Sequence, residues 1–171
     1  MVQMAEARTD IVSCLSHVER LNLQGTTIES HVTAHLLATV CAAFESEFQR
    51  LALARIGAQA DQHVAAFLKT AVERTWRGLR MSDIAGFLAH FDEGVKGAFQ
   101  RDLLGDPGAI AFSNIVTARH RSSHGESFEM TLRELLDSYD KSGRVLEVAF
   151  NALTSAGQVP PLDQSASASE G

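Results

Sequence analysis

The residues most able to do chemistry lie together in one stretch, residues 119–126. Arg119 offers a fixed positive charge, and His120 and His124 offer imidazoles, which titrate near neutral pH. A cation and a proton carrier are the two groups needed to cleave a phosphodiester without a metal. The cation stabilises the phosphorane-like transition state, and the imidazole moves a proton. The stretch therefore predicts phosphodiester chemistry.

The spacing of this stretch sets a geometric condition. Residues five apart on a straight helix lie about 140° from each other, because each residue turns about 100°. Arg119 and His124 therefore converge only if the helix ends or bends between them. Ser122, Ser123 and the following Gly125 make such a break plausible.

Two other interpretations of the stretch are open. Arg119 and Arg121 near the end of a helix would interact favourably with the negative end of its dipole. His120 and His124 are one turn apart and could bind a metal together. A zincin motif, however, has Glu directly after the first histidine, where this chain has Arg121, and an arginine disfavours a divalent cation. We therefore predict neither a metal site nor a cofactor.

Length, charge and cysteine content narrow the class of protein. A chain of 171 residues suits one domain. The formal charge of −6 argues against coating nucleic acid through bulk charge, but it permits a local basic cleft. Cys14 and Cys41 lie among apolar residues and are expected to be reduced core side chains, which suits a cytoplasmic protein. No secretory signal is evident, and the most apolar run, residues 32–44, is too short to span a bilayer.

The rest of the chain has the periodicity of helices and no alternating strand pattern. A long amphipathic helix is predicted from about residue 26 to residue 57, because apolar residues recur there at three- and four-residue steps. A third helix is predicted over about 61–77. Its inward-facing residues would be Val64, Phe67, Leu68, Ala71 and Val72.

Shorter helices are expected over 82–91, up to residue 104 and from 107 to the motif, and a final helix over 131–153. The predicted fold is all-α: an up-and-down bundle of about five or six helices with one long helix. The domain would cover residues 9–154, after a flexible N-terminus over 1–8. Residues 155–171, rich in Ser, Ala, Pro and Gly, are predicted to be a disordered tail.

A second basic pattern precedes the motif. Arg74, Arg77 and Arg80 follow a three-residue step beside Trp76, and such a stripe can bind single-stranded RNA. More often it is the solvated face of a helix whose aliphatic stems pack on the core. The second interpretation is favoured here.

The motif resembles a known signature. Arg-His-x-x-x-His-Gly, at the end of one helix and ahead of another, resembles the Arg-x4-6-His signature of the HEPN superfamily, in which Asn, Asp or His directly follows the arginine. The pair Phe44-Glu45 in the long helix resembles the aromatic-Glu pair of the RiboL-PSP-like HEPN branch. Residues 130–136 resemble the start of that branch's last helix. The resemblance covers roughly residues 10–153.

This resemblance implies a metal-independent endoribonuclease, often a toxin or an antiviral defence effector. Two protomers would form a homodimer with their motifs facing each other across one cleft, and the RNA 2′-hydroxyl would attack the adjacent phosphate. Arg119 would hold the scissile phosphate, His124 would act as general acid or base, and His120 would orient the site or hold RNA. The expected substrate-binding or orienting residues are Arg121, Ser123 and Glu45.

One position departs from the family pattern. Where HEPN toxins silenced by a nucleotidyltransferase carry a tyrosine, two residues after the motif histidine, this chain has Glu126. Tyrosine adenylylation is therefore not expected, although an antitoxin or other regulatory protein is. Glu126 would also repel RNA unless it points away or pairs with Arg121. The alternative function is a non-catalytic HEPN-like module that binds RNA, a nucleotide or another protein.

Overall fold

A computed structural model describes residues 2–57 and 61–155 of the chain. Over these residues the chain forms seven α-helices and no strand, which confirms the all-α class. The helices are α1 (Val2–Arg20), α2 (Thr27–Gly57), α3 (Gln62–Thr75), α4 (Met81–Ala89), α5 (Glu93–Asp102), α6 (Pro107–Ser123) and α7 (Leu132–Ser155). None of these helices is both long enough and apolar enough to cross a membrane.

Helix α1 begins within the segment that the sequence predicts to be flexible. Residues 2–8, expected to be flexible, form the opening turns of α1, and Ala7 is buried. Helix α7 holds this end in place: the Tyr139 hydroxyl donates to the Met4 carbonyl, and Arg8 pairs with Asp140 at 2.7 Å. Local periodicity does not reveal partners that lie so far along the chain.

The number of helices also differs from the prediction. The described residues contain seven helices rather than about five or six, although α4 and α5 both form where short helices are expected. Asp92 separates them, because its side chain accepts the backbone N–H of Gly94 at 2.6 Å and starts α5. The predicted tail over 156–171 lies outside the described residues.

Helix α2 lies at the centre of the core, as its length and apolar content predict. It packs against α1, α3, α6 and α7. Phe44 is fully buried, and its ring meets Phe112 of α6 edge-on at 5.0 Å and Tyr139 of α7 at 5.9 Å. These aromatic contacts fix α2 and α6, the two helices that carry the predicted site residues, against α7.

Helix α3 is less buried than its pattern predicts. Val72 is buried, but Val64 is exposed and Phe67 is 72% exposed. The inward orientation predicted for these two residues is therefore wrong. Because α3 packs mainly on α2, it is covered along one side only, and its apolar stripe is wider than the surface that covers it.

A buried carboxylate joins the start of α2 to the start of α7. Glu29 accepts the backbone N–H of Gly25 at 2.6 Å and that of Leu132 at 3.3 Å. Burial of a carboxylate is tolerated when it is hydrogen-bonded in this way. Thr131 and Glu134 add a capping box at the same helix end. The chain that leaves the motif is thus fixed directly to α2.

Candidate active site

The chain turns sharply at the end of the motif. Helix α6 ends at Ser123, His124 is its C-cap, and Gly125 has a φ of +71°. The Gly125 N–H donates to the Ser122 carbonyl at 3.2 Å, and the Glu126 N–H donates to the Arg121 carbonyl at 3.0 Å. This is a Schellman motif, in which glycine adopts the left-handed conformation at little cost. The helix thus ends within the motif, but the chain turns only at Gly125, after His124, and not between Arg119 and His124 as their convergence would require.

Two helix faces enclose a cavity of about 370 Å³ next to this turn. From α6 the lining residues are Val116, Arg119 and His120, which share a face at helical spacing. From α2 they are Ala38, Cys41, Ala42 and Glu45, again on one face. Three of these α2 side chains are small, which leaves space between the helices. Residues 77–80 and Asp83 close the cavity.

Glu45 therefore lies in the same cavity as Arg119 and His120, although it is far from them in sequence. Within the described residues it forms no hydrogen bond or ion pair with either. Both charges nevertheless act on the Cys41 thiol between them. Burial raises the pKa of Cys41 to about 12, and smaller effects come from Arg119, which lowers it, and Glu45, which raises it. Arg119 and Glu45 thus face a common space without neutralising each other by contact.

His124 lies outside this cavity. The helix ends so late that His124 continues the turn of α6, and its ring contacts His120, with centroids 4.5 Å apart and planes at 66°. No hydrogen bond or ring contact between described residues joins His124 to Arg119. His120 is therefore the link between them, because it lines the cavity and touches His124.

Arg121 and Ser123 are also separated from the cavity. Arg121 lies on another face of α6, where its guanidinium is 3.7 Å from the Glu126 carboxylate and lines a different groove. The sequence predicts that Glu126 repels RNA unless it points away or pairs with Arg121, and this pair is present. The Ser123 hydroxyl donates to the His120 carbonyl at 2.8 Å, which stabilises the last turn of α6.

Arg77 and Arg80, for which the sequence favours a solvated helix face, belong to the site. Helix α3 ends at Thr75 and Trp76 has an extended backbone, so Arg77 and Arg80 are no longer on a helix with Arg74. Both line the cavity with Arg119. The helical interpretation is therefore wrong for these two arginines.

Gly78 is the feature of the sequence that indicates this break in the helical stripe. Its φ of +152° lies in a region that favours glycine, and a Cβ there would meet an Asp83 carboxylate oxygen at 3.2 Å. Gly78 directly follows the predicted end of the third helix at about residue 77, and a glycine there separates Arg80 from the helical stripe.

Trp76 is partly buried and packs against the core. Its ring stacks on Phe48 at 5.7 Å and meets Phe87 edge-on at 5.1 Å. Its indole Nε1–H is buried and has no hydrogen-bond partner among the described residues. The indole is thus part of an aromatic cluster and is not among the residues that line the cavity.

A larger cavity, of about 640 Å³, lies between α1, α2 and α7. Apolar side chains such as Leu51, Leu146 and Phe150 line it, beside the ion pair of Arg8 with Asp140. It contains none of the predicted site residues. The smaller cavity has the cations and the imidazole, and we therefore assign the candidate site there.

The pair of His120 and His124 leaves a metal centre open as an interpretation of the motif. Their rings are adjacent, but within residues 2–57 and 61–155 no third histidine, cysteine or carboxylate completes a group able to hold a metal ion. The described part of the chain thus offers two imidazoles next to an arginine-lined cavity.

Comparisons with known proteins do not add to this picture. No protein-family model, curated protein or solved structure matches the chain.

Proposed function

We propose that this protein is an endoribonuclease of HEPN type that cleaves RNA without a metal, at a site shared by two copies of the chain. The observation that carries the proposal is the meeting of Arg119, His120 and Glu45 in one cavity, with the His124 ring against His120. An arginine and an imidazole in one site are what phosphodiester cleavage by an internal nucleophile requires.

The reaction would proceed by transfer within the RNA strand. A base removes the proton of the 2′-hydroxyl, the 2′-oxygen bonds to phosphorus, and the bond from phosphorus to the 5′-oxygen breaks. An acid protonates that leaving oxygen, so the products are a 2′,3′-cyclic phosphate and a 5′-hydroxyl. Arg119 neutralises the non-bridging oxygens, His124 supplies the acid–base step, and His120 orients the site or holds RNA.

Two copies are proposed because one chain leaves the site incomplete. A histidine in acid–base catalysis is usually oriented by a hydrogen bond to its second ring nitrogen. In the described residues, neither His120 nor His124 has such a bond, and His124 lies outside the cavity. A second copy facing the first would supply the other proton-transfer group. Toxin–antitoxin or antiviral function in the cytoplasm is the biological setting that the HEPN resemblance implies.

The position of His124 outside the cavity favours a second candidate function. A cavity lined by arginines can bind a phosphate without cleaving it, and Arg119 would then act only as a ligand. Under this alternative the protein is an RNA- or nucleotide-binding module.

The test compares wild type, Arg119→Ala and His124→Ala on total RNA and tRNA, with EDTA throughout. We expect cyclic phosphate ends from wild type, and a loss of about 100-fold or more in His124→Ala. His90→Ala is a matched control, because His90 is an exposed helix C-cap like His124 but lies on α4. Equal cleavage by wild type and His124→Ala would contradict the proposal, and binding without cleavage would favour the second candidate.

The shared site has its own test. Adding an equal amount of inactive His124→Ala to a fixed amount of wild type should lower the activity to about half, because about half of the wild-type chains then belong to mixed pairs. Unchanged activity after subunits have exchanged would show that each chain acts alone.

A further inference from the structure

The arginines of this protein fall into two groups. Of the twelve, six lie within 4.0 Å of a carboxylate: Arg8, Arg50, Arg101, Arg121, Arg133 and Arg144. Among described residues the other six have no such partner: Arg20, Arg55, Arg74, Arg77, Arg80 and Arg119. Three of these unpaired arginines, from two separate parts of the chain, line one cavity. Their convergence is not a result of sequence proximity, since α4, α5 and most of α6 lie between them.

The cavity has more positive than negative charge. Arg77, Arg80 and Arg119 are accompanied there by two carboxylates, Glu45 and Asp83, and no ion pair forms between these described residues. Three guanidinium groups facing one space repel each other unless an anion lies between them. In a protein of net charge −6, this local excess indicates a site for a negatively charged ligand.

We propose that Arg77 and Arg80 form a second phosphate subsite beside Arg119, so that the cavity holds two successive phosphates of one RNA strand. This proposal rests on the proposed function for the identity of the ligand. Guanidinium groups match phosphate oxygens in planar, bidentate pairs. The cavity volume of about 370 Å³ lies in the range of small-ligand sites, which suits a nucleotide-sized segment.

The subsite reads the RNA backbone rather than its bases. Trp76, the aromatic residue next to Arg77, is packed against Phe48 and Phe87 and does not line the cavity, so the cavity offers no indole on which a base could stack. The α2 wall of the cavity consists largely of Ala and Cys side chains. Recognition through phosphates carries no sequence information directly, so we expect affinity to vary little with base composition.

The test measures binding of a labelled single-stranded RNA over a range of salt concentrations, in the full-length His124→Ala protein. Adding Arg77→Ala or Arg80→Ala should lower the affinity about tenfold. Each should also reduce the slope of log affinity against log salt by about 0.7, the value for one lost phosphate contact on a single strand. Arg77→Lys should keep the slope because it keeps the charge.

Arg74→Ala is the matched control, because Arg74 is an exposed, unpaired arginine that does not line the cavity. The proposal is overturned if Arg77→Ala and Arg80→Ala change the slope no more than Arg74→Ala does, or if the parent protein does not bind RNA. Loss of binding in these two variants, together with no cleavage by wild type, would retain the subsite and reject the nuclease. Cleavage by wild type, together with unchanged RNA binding in Arg77→Ala and Arg80→Ala, would retain the nuclease and reject the subsite.

Discussion

The carboxylate of Asp83 has two opposing effects that one substitution can separate. It lines the cavity that contains Arg77, Arg80 and Arg119, where a negative charge weakens the attraction for phosphate. It also lies in the first turn of α4, whose N-cap residue, Arg80, makes no side-chain capping bond. There a negative charge stabilises the helix through its dipole. Asp83→Asn should therefore increase RNA affinity and decrease stability.

The sizes of the change in RNA affinity and of the change in stability both follow from the position of Asp83. The interactions of a partly exposed charge contribute about 0.2–1 kcal/mol, so RNA affinity should rise about 1.5- to 5-fold. The interaction with the helix dipole contributes about 0.3–1 kcal/mol. For a chain of this size that loss lowers Tm by about 1–4 °C.

The assay pairs RNA binding in the His124→Ala background with a thermal unfolding curve of the same protein. Asp92→Asn is the control, because it removes one negative charge at the start of α5, outside the cavity. Asn is also a good N-cap, so this control should be nearly neutral in stability. If Asp83→Asn binds RNA no more tightly than Asp92→Asn, the electrostatic account of the cavity is wrong.

Three further predictions concern packing and ionisation. A methyl group at Gly108 would lie 2.6 Å from a backbone carbonyl of α7, so Gly108→Ala should destabilise the protein by about 1–3 kcal/mol. A methyl group at Gly143 meets nothing within 4 Å, so Gly143→Ala should stabilise the protein by about 0.5–1 kcal/mol. Calorimetric shifts of equal sign would contradict this. The pKa of Cys41 is raised to about 12, so its thiol should resist iodoacetamide at about pH 8 until the protein unfolds; rapid native labelling would contradict its burial. Hydrogen bonds from Arg50 lower the pKa of Glu47, so Glu47 stabilises the fold above its unfolded pKa and loses this effect as pH falls through its folded pKa. Glu47→Gln should lower the free energy of unfolding by about 1–2 kcal/mol at about pH 7, measured by urea titration. An equal loss at about pH 3 would contradict this pH dependence.

The sequence predicts those parts of the site that local chemistry determines. Two serines and Gly125 stand at the end of an apolar helix pattern, and the helix ends at Ser123, the second of these serines. The resemblance assigned Glu45 to the site, and the face of α2 that contains Ala38, Cys41 and Ala42 brings it to Arg119. A helix face of small residues leading to a carboxylate is itself a pattern that the sequence contains.

The parts that were not predicted depend on partners distant in sequence. Arg77 and Arg80 reach the cavity because Trp76 is held by Phe48 and Phe87, which stops α3 before its basic stripe is complete. His124 follows the turn of α6 against His120, since the Schellman motif places the break after it. Spacing along one element cannot give either result.

The pairing of α1 with α7 has a consequence for the order in which the protein matures. The bond from Tyr139 to Met4 joins residues 135 positions apart, and α2 and α6 both pack against α7. All residues that line the arginine cavity are synthesised before α7, which packs against α2 and α6, the helices that carry most of them. At about 5–20 residues per second, the 24 residues of α7 take about 1–5 s to synthesise. In a nascent chain, the two helix walls of this cavity therefore gain their packing against α7 only after α7 has been synthesised.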